Sequence, residues 1–341
     1  MTGFKSYFSA HVRSNLKPLM YILIAVMVLS FIMGINEQQP NKKWDYVTET
    51  YYDVYYSTLY IPVFFMCVLA YVVPVMEFSF FKKRRNLDCA YALPISRRAM
   101  GLAHYLSGAI TLIGVFTLSY LQNLILLLAR GVEYFNFPPM IAHYFLCVLL
   151  GLAIYSIMVF QFNEANTTGD GIWFMILPTF IFILAIAAIE TVTDNWHIFK
   201  SDYCAIPWGT IDMLTSTYQH IVEKGDLEFA TFWKTPECVI WLIGWIVAGI
   251  VAAIEFFVKF GKRPMEKTEE ISDSFDGFRT FIPAYAVLGM LAFYELDVIG
   301  WVIIELLAFV GYTIYRRGFH YKKSDIIILS SMILFLFLGL I

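Results

Sequence analysis

Charged residues are scarce in this chain, and long apolar runs take their place. Only 15% of the 341 residues are Asp, Glu, Lys or Arg, whereas 59% are hydrophobic and 18% are aromatic. Ordinary soluble domains carry about 25% charged residues, so this deficit excludes that class. The apolar runs predict an all-α, polytopic membrane protein, because a helix satisfies its own backbone hydrogen bonds in lipid.

The sequence also lacks the signatures of several functional classes. Its net charge of -3 argues against nucleic acid as a partner. No G-x-x-x-x-G-K-[ST] phosphate loop occurs, so any ATP must be hydrolysed by another chain. The five cysteines have no C-x-x-C spacing and the six histidines have no H-E-x-x-H spacing. We therefore expect no catalytic residue, no metal and no cofactor in this chain.

Six apolar runs are long enough to cross the hydrocarbon core, which needs roughly 17 to 25 residues. They cover about 18–34, 58–78, 105–129, 140–162, 171–192 and 238–258. Shorter runs near 281–294, 298–315 and 326–341 predict about two to three additional C-terminal membrane helices. The predicted parts are thus an interfacial amphipathic helix (1–17), a six-span core (18–258) with a helical outer loop (193–237), a charged cytoplasmic connector (259–280) and the C-terminal helices (281–341).

The distribution of cations predicts the orientation. If the N-terminus is cytoplasmic, 18 of the 24 Lys and Arg residues lie in inner segments and 6 lie in outer ones. The positive-inside rule therefore favours a cytoplasmic N-terminus. Eight spans would return the C-terminus to the inside and nine would leave it outside, and the cation count does not separate these alternatives.

The segment from Glu77 to Gly101 lies between the second and third spans and carries six of the cations. Its apolar residues recur at i, i+3, i+4 and i+7, which is the spacing of one side of a helix; they are Leu87, Ala90, Tyr91 and Pro94. A short amphipathic helix is therefore predicted at the cytoplasmic surface, over about 86–95. Such a helix either docks a partner or lies on lipid headgroups.

Four polar side chains within the predicted spans are candidates for a binding role. Glu305 lies near the middle of its run, and Glu255 lies about one turn from the inner end of the sixth span. Burial in lipid is costly for a carboxylate, so each is either a coupling site for an ion or a group hydrogen-bonded between helices. Gln122 and Asn123 are more typical of hydrogen bonds between helices than of substrate contacts.

The inner segment has the form charged-L-D-x-x-x-x-L-P-I-S-R-R, here from Leu87 and Asp88 to Arg97 and Arg98. In this form and position it resembles the permease subunit of type-2 ATP-binding-cassette (ABC) exporters, especially those of Gram-positive bacteria. The N-terminal interfacial helix, the six core spans and the helical outer loop are also similar, and the resemblance covers about residues 1–270. Residues past Phe281 depart from the six-span pattern.

The resemblance implies a permease in the bacterial plasma membrane, paired with an identical or a different second permease. A separate ATPase subunit, which holds ATP and Mg, would bind each permease and power export of an amphipathic, peptide or lipid-like substrate. The helix at 86–95 would lie in a groove of the ATPase. Its contacts would be Leu87, Ala90, Tyr91, Leu93 and Pro94, with Asp88, Arg97 and Arg98 as rim charges.

Two other functional classes remain open at this point. An ion-coupled secondary transporter would use Glu305 or Glu255, although no internal repeat is visible in the sequence. A non-transporting membrane sensor or immunity component would use its outer loops to bind a peptide.

Overall fold

The computed structural model describes residues 2–36, 41–45, 50–54, 59–129, 137–193, 206–224, 231–262, 265–272, 274–292 and 298–339. Almost all of them are helical, so the prediction of an all-α, polytopic membrane protein is confirmed. The helices are α1 (Thr2–Asn36), α2 (Tyr60–Phe78), α3 (Arg84–Tyr91), α4 (Arg97–Ala129), α5 (Phe137–Glu164), α6 (Thr168–Thr193), α7 (Pro207–Lys224), α8 (Thr231–Lys234), α9 (Pro236–Phe260), α10 (Phe278–Ala292), α11 (Val298–Arg316) and α12 (Lys323–Gly339). Two 3-10 turns, Ser79–Lys82 and Met265–Lys267, complete the helical elements of the described ranges.

Six of these helices are long and apolar enough to cross a membrane. They are α1, α2 with its following turn, α4, α5, α6 and α9. Helix α10 has 15 residues and is shorter. At 1.5 Å per residue it rises about 22 Å, less than the roughly 30 Å of a hydrocarbon core.

Helix α1 is continuous, whereas the sequence divides it into an interfacial helix and a span. It has 35 residues and contains Pro18. Proline has no N–H, so the Ser14 carbonyl lacks its usual partner four residues on, but the helix does not end there. Its length of about 52 Å exceeds the hydrocarbon core, so one end of the same helix projects beyond the core.

A small antiparallel hairpin follows α1. Its strands are β1 (Asn41–Asp45) and β2 (Thr50–Val54), with Asn41 opposite Val54 and Asp45 opposite Thr50. This two-stranded ribbon is the exception to the helical architecture among the described residues.

The long helices enclose one main hydrophobic cluster, to which α7 also contributes. The helical spacing of Ile211, Leu214 and Tyr218 places them on one face of α7, and all three side chains are buried in this cluster. Helices α5 and α9 approach each other closely, since a Cβ added at Gly249 would lie 2.5 Å from the Cα of Ala153. Small residues at such crossings are characteristic of helix packing in membranes.

The outer surface of the helices is apolar. On α9, for example, Ile240 is 65% exposed and Ile250 is 56% exposed. A soluble protein rarely exposes apolar patches of this extent, so the exposed faces fit contact with lipid.

Helices α10, α11 and α12 form a second hydrophobic cluster that packs on α6. Phe174 of α6 is fully buried and contacts Phe278 of α10, with ring centroids 4.9 Å apart. Buried residues of α11, such as Ala308 and Tyr312, belong to the same cluster. The C-terminal helices are therefore packed onto the six-helix core through α6.

The cation-rich segments meet at one end of the helix bundle, which we call the basic end. It consists of the start of α1, residues 79–98, the turn between α5 and α6, the turn between α11 and α12, and the described residues 259–262, 265–272 and 274–279. The Nζ of Lys82 contacts the carbonyl of Ala165 at 2.5 Å, and the Arg84 Nε contacts the Thr268 carbonyl at 2.8 Å. A guanidinium nitrogen of Arg317 lies 4.0 Å from the Asp170 carboxylate. Segments that the cation count places on one side of the membrane are thus in mutual contact.

Cysteine labelling tests the orientation that follows from this grouping. We expect Lys43→Cys, in β1, to react with a membrane-impermeant maleimide added to intact cells. Lys83→Cys, at the basic end, is expected to react only after the membrane is opened. Labelling is measured against the wild-type chain, which corrects for its own cysteines, and the reverse pattern would contradict a cytoplasmic basic end.

Candidate functional site

A short surface helix does lie at the basic end between α2 and α4, but this helix, α3, spans Arg84–Tyr91 and not 86–95, so Leu93 and Pro94 follow it in the turn to α4. The chain leaves α2 through the 3-10 turn Ser79–Lys82, forms α3 and enters α4 at Arg97. The Oγ of Ser96 accepts a hydrogen bond from the backbone N–H of Ala99 at 3.3 Å, which is the side-chain cap of a helix start. Each end of α3 is therefore only a few residues from a long membrane helix.

Two residues fix α3 to the rest of the chain. Leu87 is 4% exposed and packs in the main hydrophobic cluster. The guanidinium of Arg84 donates to the carbonyls of Thr268 at 2.8 Å and Glu266 at 3.2 Å. Its backbone N–H donates to a carboxylate oxygen of Glu269 at 3.2 Å. Helix α3 is thus held by an apolar contact beneath it and by polar contacts with the segment that follows α9.

The burial of Leu87 corrects the prediction that this side chain meets a partner. The spacing of Leu87, Ala90 and Tyr91 does describe an apolar helix face. The Leu87 side chain on that face points into the protein, where it is removed from water. The side chains of Ala90 and Tyr91 lie outside the described part of the chain.

Four of the predicted contact residues reach the surface, and we call these four the coupling surface. Asp88, Leu93, Pro94 and Arg98 are exposed, and Leu93 shows 42% of its area. Arg97 is half-buried. The coupling surface therefore combines one acidic, one basic and two apolar side chains around the end of α3, which is a composition suited to a protein contact.

Lys82 is a buried cation just before α3. Its Nζ donates to three carbonyls at the end of α5 and just beyond it, those of Phe162 at 2.9 Å, Asn163 at 3.3 Å and Ala165 at 2.5 Å. The same Nζ lies 5.0 Å from the centre of the Phe162 ring. The last carbonyls of a helix carry partial negative charge, so the cation stabilises the end of α5 and fixes the turn before α3 to it.

A second polar cluster lies deeper at the basic end and joins α1, α2 and α4. The Nε2 of His11 is 2.7 Å from the Oε2 of Glu77, and the Nδ1 of His104 is 3.4 Å from the same oxygen. The side chains of Glu77 and His104 are only 5% and 3% exposed. We call His11, Glu77 and His104 the His–Glu cluster; it places one group that can bind a metal on each of three helices.

Further hydrogen bonds surround the His–Glu cluster. The Nδ1 of His104 donates to the Glu77 carbonyl at 2.9 Å, because a carbonyl can only accept. The Nε2 of a neutral His104 is then an acceptor for the hydroxyl of Tyr7 at 3.0 Å. Ser107 donates its hydroxyl to the Oε1 of Glu77 at 2.9 Å. The carboxylate is thus compensated from both α1 and α4.

The sequence analysis missed the His–Glu cluster because its members are far apart in the chain. Glu77 is 66 positions from His11 and 27 from His104. Metal motifs such as H-E-x-x-H depend on ligands within one helix, and this cluster is assembled across three. Two signals were available: Glu77 ends an apolar run, and His104 occupies a helix face whose other members, such as Met100 and Ser107, are buried.

The polar residues predicted within the third span contact α1. Gln122 donates to the carbonyl of Met27 at 3.0 Å, and Asn123 donates to the hydroxyl of Ser30 at 2.7 Å. Both bonds join α4 to α1, so these side chains are placed as hydrogen-bonding groups between helices.

The two candidate coupling carboxylates belong to different parts of the structure. Glu255 is 48% exposed and pairs with Lys259, one turn later on α9, at 3.7 Å. Glu305 lies on α11, and its Oε2 is buried without a hydrogen-bond partner among the described residues. The neighbours of Glu255 on α9 pack in the main cluster and those of Glu305 pack in the second cluster.

Comparison with known proteins gives no relative from which this site could be interpreted. Searches among protein families, curated proteins and solved structures each find no significant match. The basic end, with its coupling surface and its His–Glu cluster, is therefore interpreted from its own chemistry.

Replacing Lys82 tests whether this cation fixes the turn before α3. We expect Lys82→Met to lower the free energy of unfolding by about 2 kcal/mol, because three buried carbonyls lose a donor. Lys83→Met is the matched control, since Lys83 is exposed and its replacement leaves those carbonyls satisfied. The measurement is thermal unfolding in detergent, and equal melting temperatures for the two variants would contradict this role of Lys82.

Proposed function

We propose that this protein is the transmembrane permease subunit of an ABC exporter, powered by a separate ATPase subunit that docks on the coupling surface. The chain would work as a dimer with an identical or a different permease in a bacterial plasma membrane. ATP and Mg would be held by the ATPase.

The observation that carries this proposal is the arrangement of α3. Its inner side is fixed by Leu87 and Arg84, while Asp88, Leu93, Pro94 and Arg98 are exposed around its far end. A segment that only lies on lipid headgroups does not need to be held both by Leu87 in the hydrophobic cluster and by the hydrogen bonds of Arg84. A segment that must transmit force needs both a free contact surface and a rigid attachment, and this arrangement supplies both.

The attachment leads from α3 to three membrane helices. The 3-10 turn joins α3 to α2, and residues 92–96 join it to α4. The aliphatic stem of Arg98 packs over the end of α9, since a Cβ added at Gly261 would lie 2.8 Å from its Cγ. Closure of an ATPase against the coupling surface would therefore displace the basic ends of α2, α4 and α9 together.

The geometry gives no comparable support to the other two classes. An ion-coupled transporter would use Glu255 or Glu305, but Glu255 is half-exposed and paired with Lys259. Glu305 belongs to no group of three or more acidic, histidine or cysteine side chains among the described residues. A sensor that uses its outer loops would have no need of the rigidly attached surface at the basic end.

Co-purification from the native membrane tests the partner. Wild-type chain is expected to recover an ABC ATPase, identified by mass spectrometry. The double variant Leu93→Asp, Arg98→Glu introduces an acidic charge at an apolar contact and reverses a rim charge, so it is expected to recover at least about tenfold less. Neither side chain is buried, so the variant is expected to fold.

Phe319→Asp is the matched control. Phe319 is also an exposed apolar residue at the basic end, but it belongs to the turn between α11 and α12. It should recover as much ATPase as wild type. Equal recovery with the double variant, or no ATPase with wild type, would contradict the proposal.

The substrate class follows from the aromatic and apolar character of the spans. We propose an amphipathic peptide or lipid-like molecule as cargo, because such a molecule can leave the bilayer sideways into an apolar cleft. A small sugar would find few polar partners among the described spans.

ATP hydrolysis by the purified complex in lipid nanodiscs tests this class. Amphipathic peptides or lipid-linked molecules are expected to stimulate the rate, and monosaccharides to leave it unchanged. A rate that stays flat across peptides and lipids would refute the substrate class while leaving the ATPase partnership intact.

A further inference from the structure

We propose that the His–Glu cluster is a binding site for a divalent transition-metal ion of the zinc type, which ties α1 to α2 and α4 at the basic end. The site would be structural. It is independent of the proposed export function, because none of its three residues belongs to the coupling surface.

The spacing of the candidate ligands suits such an ion. In a tetrahedral zinc site with bonds near 2.0–2.1 Å, neighbouring ligand atoms lie about 3.3 Å apart. The Glu77 Oε2 lies 2.7 Å from the His11 Nε2 and 3.4 Å from the His104 Nδ1. All three residues offer ligand atoms within 4.8 Å of one another. Small side-chain adjustments, with the Nδ1 of His104 turned from the Glu77 carbonyl toward the ion, would therefore bring two imidazoles and a carboxylate into a coordination shell.

Two of the polar contacts at His11 cannot both be hydrogen bonds: either the Asn15 amide donates to the Oε1 of Glu77 alone, or a metal ion replaces the proton on the Nε2 of His11. The Nε2 of His11 lies 2.7 Å from the Oε2 of Glu77 and 3.0 Å from the Nδ2 of Asn15. An ionised carboxylate needs a proton on Nε2, whereas the amide donor needs a lone pair there, and one nitrogen cannot supply both. Rotating the amide would instead bring its oxygen against the Oε1 of Glu77, 3.3 Å from the present Nδ2.

An ion between His11 and Glu77 removes this conflict. The carboxylate and the Nε2 lone pair then both point at the metal, and the Asn15 amide can serve as a donor to Oε1 or, when rotated, offer its oxygen as a fourth ligand. His104 would bind through Nδ1 after losing that proton, and its Nε2–H would donate to the hydroxyl of Tyr7.

The groups around the cluster are those that orient metal ligands. Ligating histidines usually make a hydrogen bond through their other nitrogen, and ligating carboxylates are hydrogen-bonded in turn. Tyr7 lies 3.0 Å from the Nε2 of His104, and Ser107 donates to the free carboxylate oxygen of Glu77 at 2.9 Å. Two of the three candidate ligands, His104 and Glu77, thus already have such outer partners.

The burial of the cluster favours a structural ion over a catalytic one. Glu77 and His104 are almost fully buried, so a substrate could not approach the ion. A catalytic zinc keeps an open position for water or substrate, whereas a structural zinc is enclosed. The ion would fix the start of α1 to the end of α2, five residues before Lys82.

Metal binding by the wild-type chain is the primary test. The protein is purified in detergent with a tag that contains no histidine, treated with a chelator, and titrated with Zn²⁺ and with Co²⁺. We expect one tightly bound ion per chain after gel filtration. Bound Co²⁺ should show the intense visible absorption of a tetrahedral site, and Zn²⁺ should raise the melting temperature.

Variants then locate the site. His104→Gln and His11→Gln keep a hydrogen-bonding side chain but remove a ligand, so each is expected to abolish the cobalt spectrum. Ser107→Ala removes only the hydrogen bond to Glu77 and is expected to weaken Zn²⁺ binding about tenfold or more. His320→Gln, which removes an exposed imidazole, should bind like wild type.

The outcomes are distinguishable even if a histidine variant fails to fold. A folded wild-type chain that retains no Zn²⁺ or Co²⁺ would overturn the proposal by itself. Equal affinity in wild type and Ser107→Ala, together with an unchanged spectrum in a folded His104→Gln, would overturn it as well. None of these measurements requires the ATPase, so their failure leaves the proposed function untouched.

Discussion

The carboxylate of Glu77 is the constraint on which the basic end depends. A carboxylate placed at the end of an apolar helix must find compensating partners, because an unpaired buried charge costs several kcal/mol. Those partners come from other helices: His11 from α1, and His104 and Ser107 from α4. Three membrane helices are therefore joined where they reach the basic end, by polar contacts that apolar packing alone would not specify.

Lys82 continues the same arrangement in the direction of α3. The buried cation lies five positions after the buried anion, and it is satisfied by carbonyls at the end of α5 and just beyond it. Between them, Phe78 and Phe81 pack on the end of α9, with ring centroids 5.3 Å from Phe256 and 5.4 Å from Phe260 respectively. The turn before α3 is thus fixed on several sides, and the exposed coupling surface projects from a rigid base.

The membrane architecture was predictable because it depends on local composition. Apolar runs of sufficient length form spans wherever they occur, and the spacing around Leu87 indicates a helix without any knowledge of its surroundings. The direction in which that helix faces was not predictable: Leu87 packs in the main cluster, and Arg84 holds α3 to residues 266–269 by contacts across more than 180 positions. The His–Glu cluster was missed for the same reason, since its chemistry exists only after three helices pack together.

The predicted break between the interfacial helix and the first span is absent from the structure. The interfacial helix and the first span form one continuous α1, because the backbone hydrogen bonds around Pro18 are sufficient to carry the helix past it. Glu255, in contrast, lies near the inner end of α9, where its position in the apolar run places it, and its exposed ion pair with Lys259 is seen only in the structure. The sequence thus locates both helices, and only the structure shows that α1 continues through Pro18.

Photocrosslinking from position 93 tests the central claim most directly. A photoreactive amino acid in place of Leu93 is irradiated in the native membrane, and its adducts are compared with those from position 319. Our account predicts a covalent adduct with an ABC ATPase from position 93 and none from position 319. Adducts with lipid alone from position 93 would show that α3 lies on headgroups, and would contradict the account.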